Sequence, residues 1–163
     1  MIRSLTILAV MLNVTAVSSA FASDTDGIPY ISPGVGISWN FGSGLVFAPK
    51  VSLGYLSNGS FVNLTVAIAT CSTDKTYPLY VFETQYGAIS KSLEVSKTQL
   101  LWGGGIGIAL HSTDQGVVVR PKISAFVGFL VFLNIDLIFM ERTRIGIGPE
   151  FVLPIPLRRI SLG

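Results

Sequence analysis

The sequence predicts an all-β protein: a closed, antiparallel, up-and-down transmembrane β-barrel of about eight strands, after a cleaved signal peptide. Apolar residues alternate with small or polar residues along most of the chain. Turn signals separate most of the alternating runs, and the charges within the runs fall on the less apolar face. Only 12% of the residues are charged and 50% are apolar, which is too little charge for a water-soluble surface.

The first element is an export signal over residues 1–22. Arg3 supplies a positive charge, residues 5–17 form an apolar segment, and Ala20-Phe21-Ala22 matches the small-x-small cleavage pattern. The apolar segment is short for a transmembrane helix. We therefore expect cleavage after Ala22, in a chain destined for export.

The remaining chain, residues 23–163, is predicted to form one barrel domain, with strands within 32–154 and a short C-terminal tail. Runs of about ten residues are long enough to cross a bilayer when tilted. The alternating runs cover residues 35–41, 45–55, 62–69, 80–87, 102–110, 119–129, 134–139 and 144–153. The boundary before the seventh run has no clear breaker. Because residues 123–140 are long and apolar, an inner-membrane helix is the alternative there, although Asn134 and Asp136 interrupt it.

Charged residues within the runs share one face, which we expect to line the barrel interior. A basic residue facing hydrocarbon at the midplane costs about 2–4 kcal/mol, so lipid-facing positions exclude it. Opposite charges inside can offset each other's desolvation by pairing. Arg144, beside a predicted turn, is the base expected to stay solvated near a rim. The predicted interior charge network is Lys50, Glu83, Arg120, Lys122, Asp136, Arg144 and Glu150.

The opposite face carries the large apolar residues and is expected to face outward. Aromatic residues near the ends of the runs are expected to form girdles at the membrane interfaces, because their rings have an apolar and a polar side. The predicted girdle residues are Trp39, Tyr55, Tyr80 and Trp102. The outward set includes Val35, Ile37, Trp39, Leu53, Val66, Ile108, Ile147 and Phe151. A soluble lipocalin-like barrel would require the reverse orientation.

Few residues suggest chemistry. The single cysteine, Cys71, cannot form an intrachain disulfide, and we predict no cofactor, metal site or catalytic residue. A net charge of +2 without a basic stripe predicts no nucleic-acid partner. The only histidine, His111, precedes Ser112, and neighbouring residues on a strand point to opposite faces, which is unsuitable for a Ser–His relay.

With this alternation from about residue 32 to residue 154, the chain resembles small eight-stranded outer-membrane β-barrel proteins of Gram-negative bacteria. The resemblance implies location in the bacterial outer membrane, with outer-membrane lipid and the outer-membrane assembly machinery as partners. Such proteins usually end on an aromatic residue that closes the last strand. This chain ends at Gly163, so its last strand is expected to close at Phe151 instead.

Three functions are compatible with these features. The first is a structural or lipid-interacting barrel whose interior is filled by glycines and the charge network. The second is a narrow pore or small-ligand-binding barrel, since an eight-stranded barrel holds side chains or one small ligand. The third is an outer-membrane lipid-modifying enzyme such as a lipid A deacylase or acyltransferase. The deacylase pattern would require serine where Thr113 stands, so the first function is preferred and no enzymatic activity is predicted.

Overall fold

The computed structural model describes residues 27–57, 59–90, 100–114, 116–129 and 131–157. The predicted export signal and the end of the C-terminal tail lie outside these residues. All regular structure within the described ranges is β-strand, and they contain no helix long and apolar enough to cross a membrane.

Eight long strands and one short strand follow each other along the chain. The predicted closed, antiparallel, up-and-down barrel of about eight strands is confirmed, since the eight long strands form such a barrel. The strands begin at residue 28 and end at residue 156, slightly beyond the expected limits. Their bounds are β1 Ile28–Asn40, β2 Gly44–Ser57, β3 Ser60–Cys71, β4 Leu79–Ile89, β5 Leu101–Thr113, β6 Gly116–Gly128, β7 Val131–Ile138, β8 Arg144–Val152 and β9 Ile155–Pro156.

The barrel closes along a seam between its first and last long strands. β1 pairs with β2 along its whole length and with β8 from Gly34↔Val152 to Asn40↔Gly146. The short β9 continues beyond β8 and pairs with the start of β1 through Ile31↔Ile155. We call the end of the barrel where β1 begins and β9 lies the terminal end. The opposite end, where the β1–β2, β3–β4, β5–β6 and β7–β8 connections lie, is the turn end.

The two faces of the barrel wall differ as the alternation predicts. On the outside, Trp39, Leu53 and Val66 are 57%, 51% and 44% exposed. Val35 and Ile37 share this face and are partly buried there. Inward positions are buried and include both polar and apolar residues. The predicted outward orientation is therefore confirmed, which excludes the inverted, lipocalin-like arrangement.

The stretch 123–140 forms strands rather than a helix. β6 and β7 pair from Lys122↔Ile138 to Gly128↔Phe132 around a tight connection, in which the Phe129 amide donates to the Val131 carbonyl at 3.3 Å. A Cβ on Gly128 would collide with that same carbonyl. Gly128 therefore ends β6 at the boundary where the sequence predicted no clear strand breaker.

Inward side chains form successive layers along the lumen, and β4 shows their order. From the turn end, β4 contributes the buried apolar Leu79 and Val81, then Glu83, then Gln85. Gly87 follows where the ring of Phe61 lies against the wall. The lumen thus changes from apolar to charged, to polar and to aromatic within one strand.

Candidate functional site in the barrel lumen

An ion-pair layer crosses the middle of the lumen. Lys122 Nζ lies 2.6 Å from Glu83 Oε2 and 2.6 Å from Asp136 Oδ1. Lys50 Nζ lies 2.8 Å from Glu150 Oε2. The Lys122 and Glu83 side chains are only 7% and 3% exposed. Five of the seven predicted network residues therefore meet at this level, in two ion-paired groups.

Neighbouring polar groups complete the contacts of the carboxylates in this layer. The Ser124 hydroxyl donates to Glu83, and the Asn134 Nδ2 group donates to Glu150 Oε2 at 2.8 Å. A Cβ on Gly105 would collide with the Glu83 carboxylate, so glycine makes room for the buried acid. Hydrogen bonds of this kind lower the cost of keeping charges out of water.

Arg144 is held elsewhere, by an acidic residue that was not part of the predicted network. Its Nη2 lies 2.5 Å from Asp74 Oδ2 in the β3–β4 connection, and its guanidinium carbon lies 5.3 Å from the centre of the Tyr77 ring. The Arg144 side chain is 14% exposed. The expectation that Arg144 stays solvated without a partner was therefore wrong.

Asp74 is the centre of a cluster at the turn end that also includes Ser43, Thr76, Tyr77 and Arg144, and we call this cluster the cap. Burial alone would raise its pKa, yet hydrogen bonds from Ser43 and Thr76 and the charge of Arg144 together hold the pKa of Asp74 below its ordinary value. Burial raises the pKa of the neighbouring Tyr77 hydroxyl, which accepts a hydrogen bond from Asn40 Nδ2 at 2.8 Å. The cap therefore closes around an ionised carboxylate.

Arg120 faces inward between the cap and the ion-pair layer. It forms no salt bridge with any residue that the structure describes, and its Nε is buried without a hydrogen-bond partner. Arg120 is half-buried and lines the polar pocket at the turn end, together with Thr76 and Arg144. Arg120 is thus the member of the predicted network that the structure leaves outside both ion-paired groups.

The four predicted girdle residues lie near the two ends of the barrel. Trp39 and Tyr80, 57% and 44% exposed, lie on the outer face towards the turn end. Trp102, 55% exposed, lies towards the terminal end. Tyr55 is half-buried at that same end, and its hydroxyl accepts a hydrogen bond from the Gly27 amide at 3.1 Å. Each end therefore carries two of these residues.

A neutral polar layer lies on the terminal side of the ion pairs. The Tyr30 hydroxyl donates to Asn63 Oδ1 at 2.5 Å, and Asn63 Nδ2 donates to Gln85 Oε1 at 3.3 Å. The Ser52 and Thr65 hydroxyls are 2.8 Å apart. A Cβ on Gly54 would collide with the Tyr30 ring, so this glycine makes room for the layer. Polar residues at inward positions were the sequence signal that could have predicted it.

An apolar cavity of 320 Å³ lies between this polar layer and the terminal end. Phe126 lies at its side, with ring centres 5.9 Å from both Phe61 and Phe132. Leu56 and Leu101 pack against this cluster and also line the cavity. Alternation along the sequence does not reveal this cavity, because the cavity is formed by strands distant in sequence.

His111, its neighbours Ser112 and Thr113, and Cys71 are the residues that the sequence offers for catalysis. His111 is half-buried and its Nδ1 has no hydrogen-bond partner among the described residues, whereas Ser112 is exposed. Thr113 donates to the Gly116 carbonyl at 2.8 Å. Cys71 lies 3.2 Å from the Ser43 carbonyl oxygen. No cluster of three or more potential metal ligands occurs within the described part of the chain.

Comparison with known proteins found no matching family model, no matching curated protein and no matching solved structure.

Proposed function

We propose that the protein is a small β-barrel of the bacterial outer membrane, exported by its signal peptide, with a structural or lipid-interacting role. The observation that supports this most strongly is the contrast between the two faces of a closed barrel. Large apolar side chains such as Phe47, Phe82 and Leu133 are 51%, 42% and 51% exposed on the outside. The ion pairs lie inside. Water disfavours such an exterior, and lipid favours it.

Strand lengths support the same proposal. Crossing a bilayer takes about 9–11 residues of a strand tilted by about 45°. β1 to β6 contain between 11 and 14 residues, and β8 contains 9. β7 contains 8 residues and is the shortest of the long strands. In this arrangement Trp39 and Tyr80 would lie at one membrane interface, with Tyr55 and Trp102 at the other.

The filled lumen favours a role at the barrel exterior over a role as a pore. Lys50, Glu83, Lys122 and Glu150 meet at one level, and apolar side chains pack between them and the cap at the turn end. Ions would have to displace buried salt bridges to pass. We therefore expect no stable unitary conductance from the purified protein in planar bilayers, and such conductance would favour the pore alternative.

Site-specific labelling tests the membrane placement most directly. In a Cys71→Ser background, Val66→Cys and Ala67→Cys place thiols on opposite faces at adjacent positions of β3, which are 44% and 5% exposed. In outer-membrane fractions, a lipid-soluble maleimide should label position 66 in preference to position 67. Efficient labelling of position 66 by a membrane-impermeant, water-soluble maleimide, with the protein recovered in the soluble fraction, would overturn the proposal.

Assembly offers a second test, because the outer-membrane assembly machinery is the other partner we propose. Phe151 lies on the closing strand, pairs with Val35 and is 43% exposed on the outer face. If this aromatic residue serves as the closing signal, Phe151→Ala should reduce the fraction of chains that show the heat-shifted mobility of a folded barrel in cells. Leu153→Ala, another exposed residue beside it, is the matched control.

A further inference from the structure

We propose that the cavity at the terminal end is a binding site for one small, uncharged, mostly apolar molecule that carries a single hydroxyl or amide group. This goes beyond the role proposed above, because the site lies inside the barrel; the nanodisc format of its test rests on the membrane placement proposed there. Its walls, its floor and its charge balance each restrict the ligand.

The walls determine the body of the ligand. Phe61, Phe126 and Phe132 surround one side, and Leu56 and Val152 contribute aliphatic surface. The cavity volume of 320 Å³ is larger than that of an engineered apolar cavity that binds benzene, which is about 150 Å³. It falls at the lower limit of the about 300–1,000 Å³ typical of small-molecule sites. One ring with a short alkyl group, or a short alkyl chain, suits this space.

The walls keep this space open because aromatic side chains lie directly against glycines. The Phe61 ring occupies the position that a Cβ of Gly87 would take, and the Phe126 ring does the same at Gly103. The Phe61 and Phe126 rings therefore pack closely against the barrel wall at these two glycines. A cavity arises beside them although the aromatic residues are large.

The floor determines the polar group of the ligand. Tyr30, Ser52, Asn63 and Gln85 line the inner end of the cavity, and all are neutral hydrogen-bonding residues. A hydroxyl or amide can exchange hydrogen bonds with such groups, whereas a purely apolar ligand would leave them unable to bind water.

The charges of the described residues disfavour an ionised ligand. Among the described residues that line the cavity, Glu150 is the one with a charge, and Lys50 at 2.8 Å already neutralises it. Within this part of the chain, a bound carboxylate or ammonium group would find no opposite charge free to receive it. The cost of burying an unpaired charge is much greater than that of a hydrogen-bonded hydroxyl.

The test uses three ligands of one shape that differ in their polar group: 4-ethylphenol, ethylbenzene and 4-ethylbenzoate. The full-length mature protein is placed in lipid nanodiscs, and the ¹³C-methyl signals of Leu56, Leu101 and Val152 are followed during titration at neutral pH. We expect saturable shifts with 4-ethylphenol, weaker binding of ethylbenzene, and binding of 4-ethylbenzoate weaker by at least about tenfold.

Matched variants on β2 separate the cavity from the bilayer. Leu56→Trp fills the cavity, whereas Leu53→Trp adds the same ring to the outer face, where Leu53 is 51% exposed. Binding of 4-ethylphenol should be lost in the first variant and kept in the second. Val152→Phe provides a second filling variant on another strand if Leu56→Trp does not give the heat-shifted band of a folded barrel.

Three results would overturn the proposal. Non-saturable shifts that are equal in the Leu56→Trp and Leu53→Trp variants would show partition into lipid only. Absence of any shift in the folded wild-type protein would show that the cavity is not accessible or is filled by the chain's own residues. Tightest binding by 4-ethylbenzoate would show that the floor selects an anion and that the neutral ligand class is wrong.

Discussion

The two halves of the lumen are packed in opposite ways. On the turn side, small and aliphatic residues such as Ala67, Leu79 and Ala109 pack the interior, and the last two are fully buried. The space on this side is a polar pocket of 480 Å³ among the turn-end connections. On the terminal side, larger aromatic rings leave a cavity of 320 Å³. Residue size alone therefore does not determine how full a narrow barrel is. At Gly87 and Gly103 the rings of Phe61 and Phe126 occupy the space that a Cβ would take, and the cavity lies beside this aromatic cluster.

The ion-pair layer between the two halves should be the most sensitive point of the barrel. Glu83→Ala should reduce the free energy of unfolding by about 3–5 kcal/mol, because it leaves Lys122 buried beside fewer negative charges. Urea unfolding of the refolded protein in lipid vesicles measures the change. Glu141→Ala, at an exposed position in the β7–β8 connection, should change stability by less than about 0.5 kcal/mol. An equal effect of both changes would contradict a buried ion-pair layer.

Overpacking should distinguish the two halves directly. Ala109→Leu adds atoms to a fully buried position on the turn side and should destabilise the barrel by about 1–3 kcal/mol. Val152→Phe adds atoms beside the cavity and should be neutral or stabilising, because space is available there. The same urea measurement applies, and a larger loss for Val152→Phe would show that the cavity is absent in the folded protein.

The stability that the cap at the turn end contributes should depend on pH. The pKa of Asp74 is held below its ordinary value of 3.8, so its contribution is complete above about that pH and is lost as the pH falls through the lower, folded-state pKa. Asp74→Asn should therefore cost about 1–2 kcal/mol at pH 7 and progressively less below pH 4. Stability measured against pH for both proteins provides the test. A difference that stays constant down to pH 2 would show that the ionised carboxylate contributes nothing.

The smallest effect is expected at Arg120. Arg120→Met removes an inward charge that lacks an ion-pair partner in the described structure, and keeps much of its apolar stem. Stability should be unchanged or should rise by about 1 kcal/mol. Arg144→Met, which breaks the contact with Asp74, is the matched comparison and should be destabilising. A clear loss of stability in Arg120→Met would mean that Arg120 has a partner that the structure does not reveal.

The sequence predicted the parts of this fold in which side chains alternate regularly along a strand. Alternation gave the number of long strands and the direction of their side chains, and parity alone put Glu83 and Lys122 on the same face. Alternation could not predict which charged residues pair, because pairing depends on the stagger between strands. Lys50 and Glu150, for example, form an ion pair although they are 100 positions apart in the sequence. Asp74 was missed because a loop residue has no period to reveal its direction.

Neither the cavity nor the short strand β9 could be predicted from the sequence. Phe61, Phe126 and Phe132 come from three strands, and the space beside them depends on rotamers and on the glycines opposite. Ile155 pairs with Ile31 in the short strand β9. The residues around Ile155 do not alternate clearly between apolar and polar, so the chain after Phe151 was interpreted as a tail.

The seam between β1 and β8 also constrains the order in which the barrel can form. The other neighbouring long strands meet through local connections, but Gly34 and Val152 are joined across nearly the entire domain. Loop-closure entropy grows only with the logarithm of length, so distance adds little to the free-energy cost of closing the seam. Its effect is on timing: until the last residues have arrived, β1 presents an unpaired edge that can pair with another chain. During biogenesis, a helper that shields this edge until β8 arrives would prevent aggregation without adding any stability to the finished barrel.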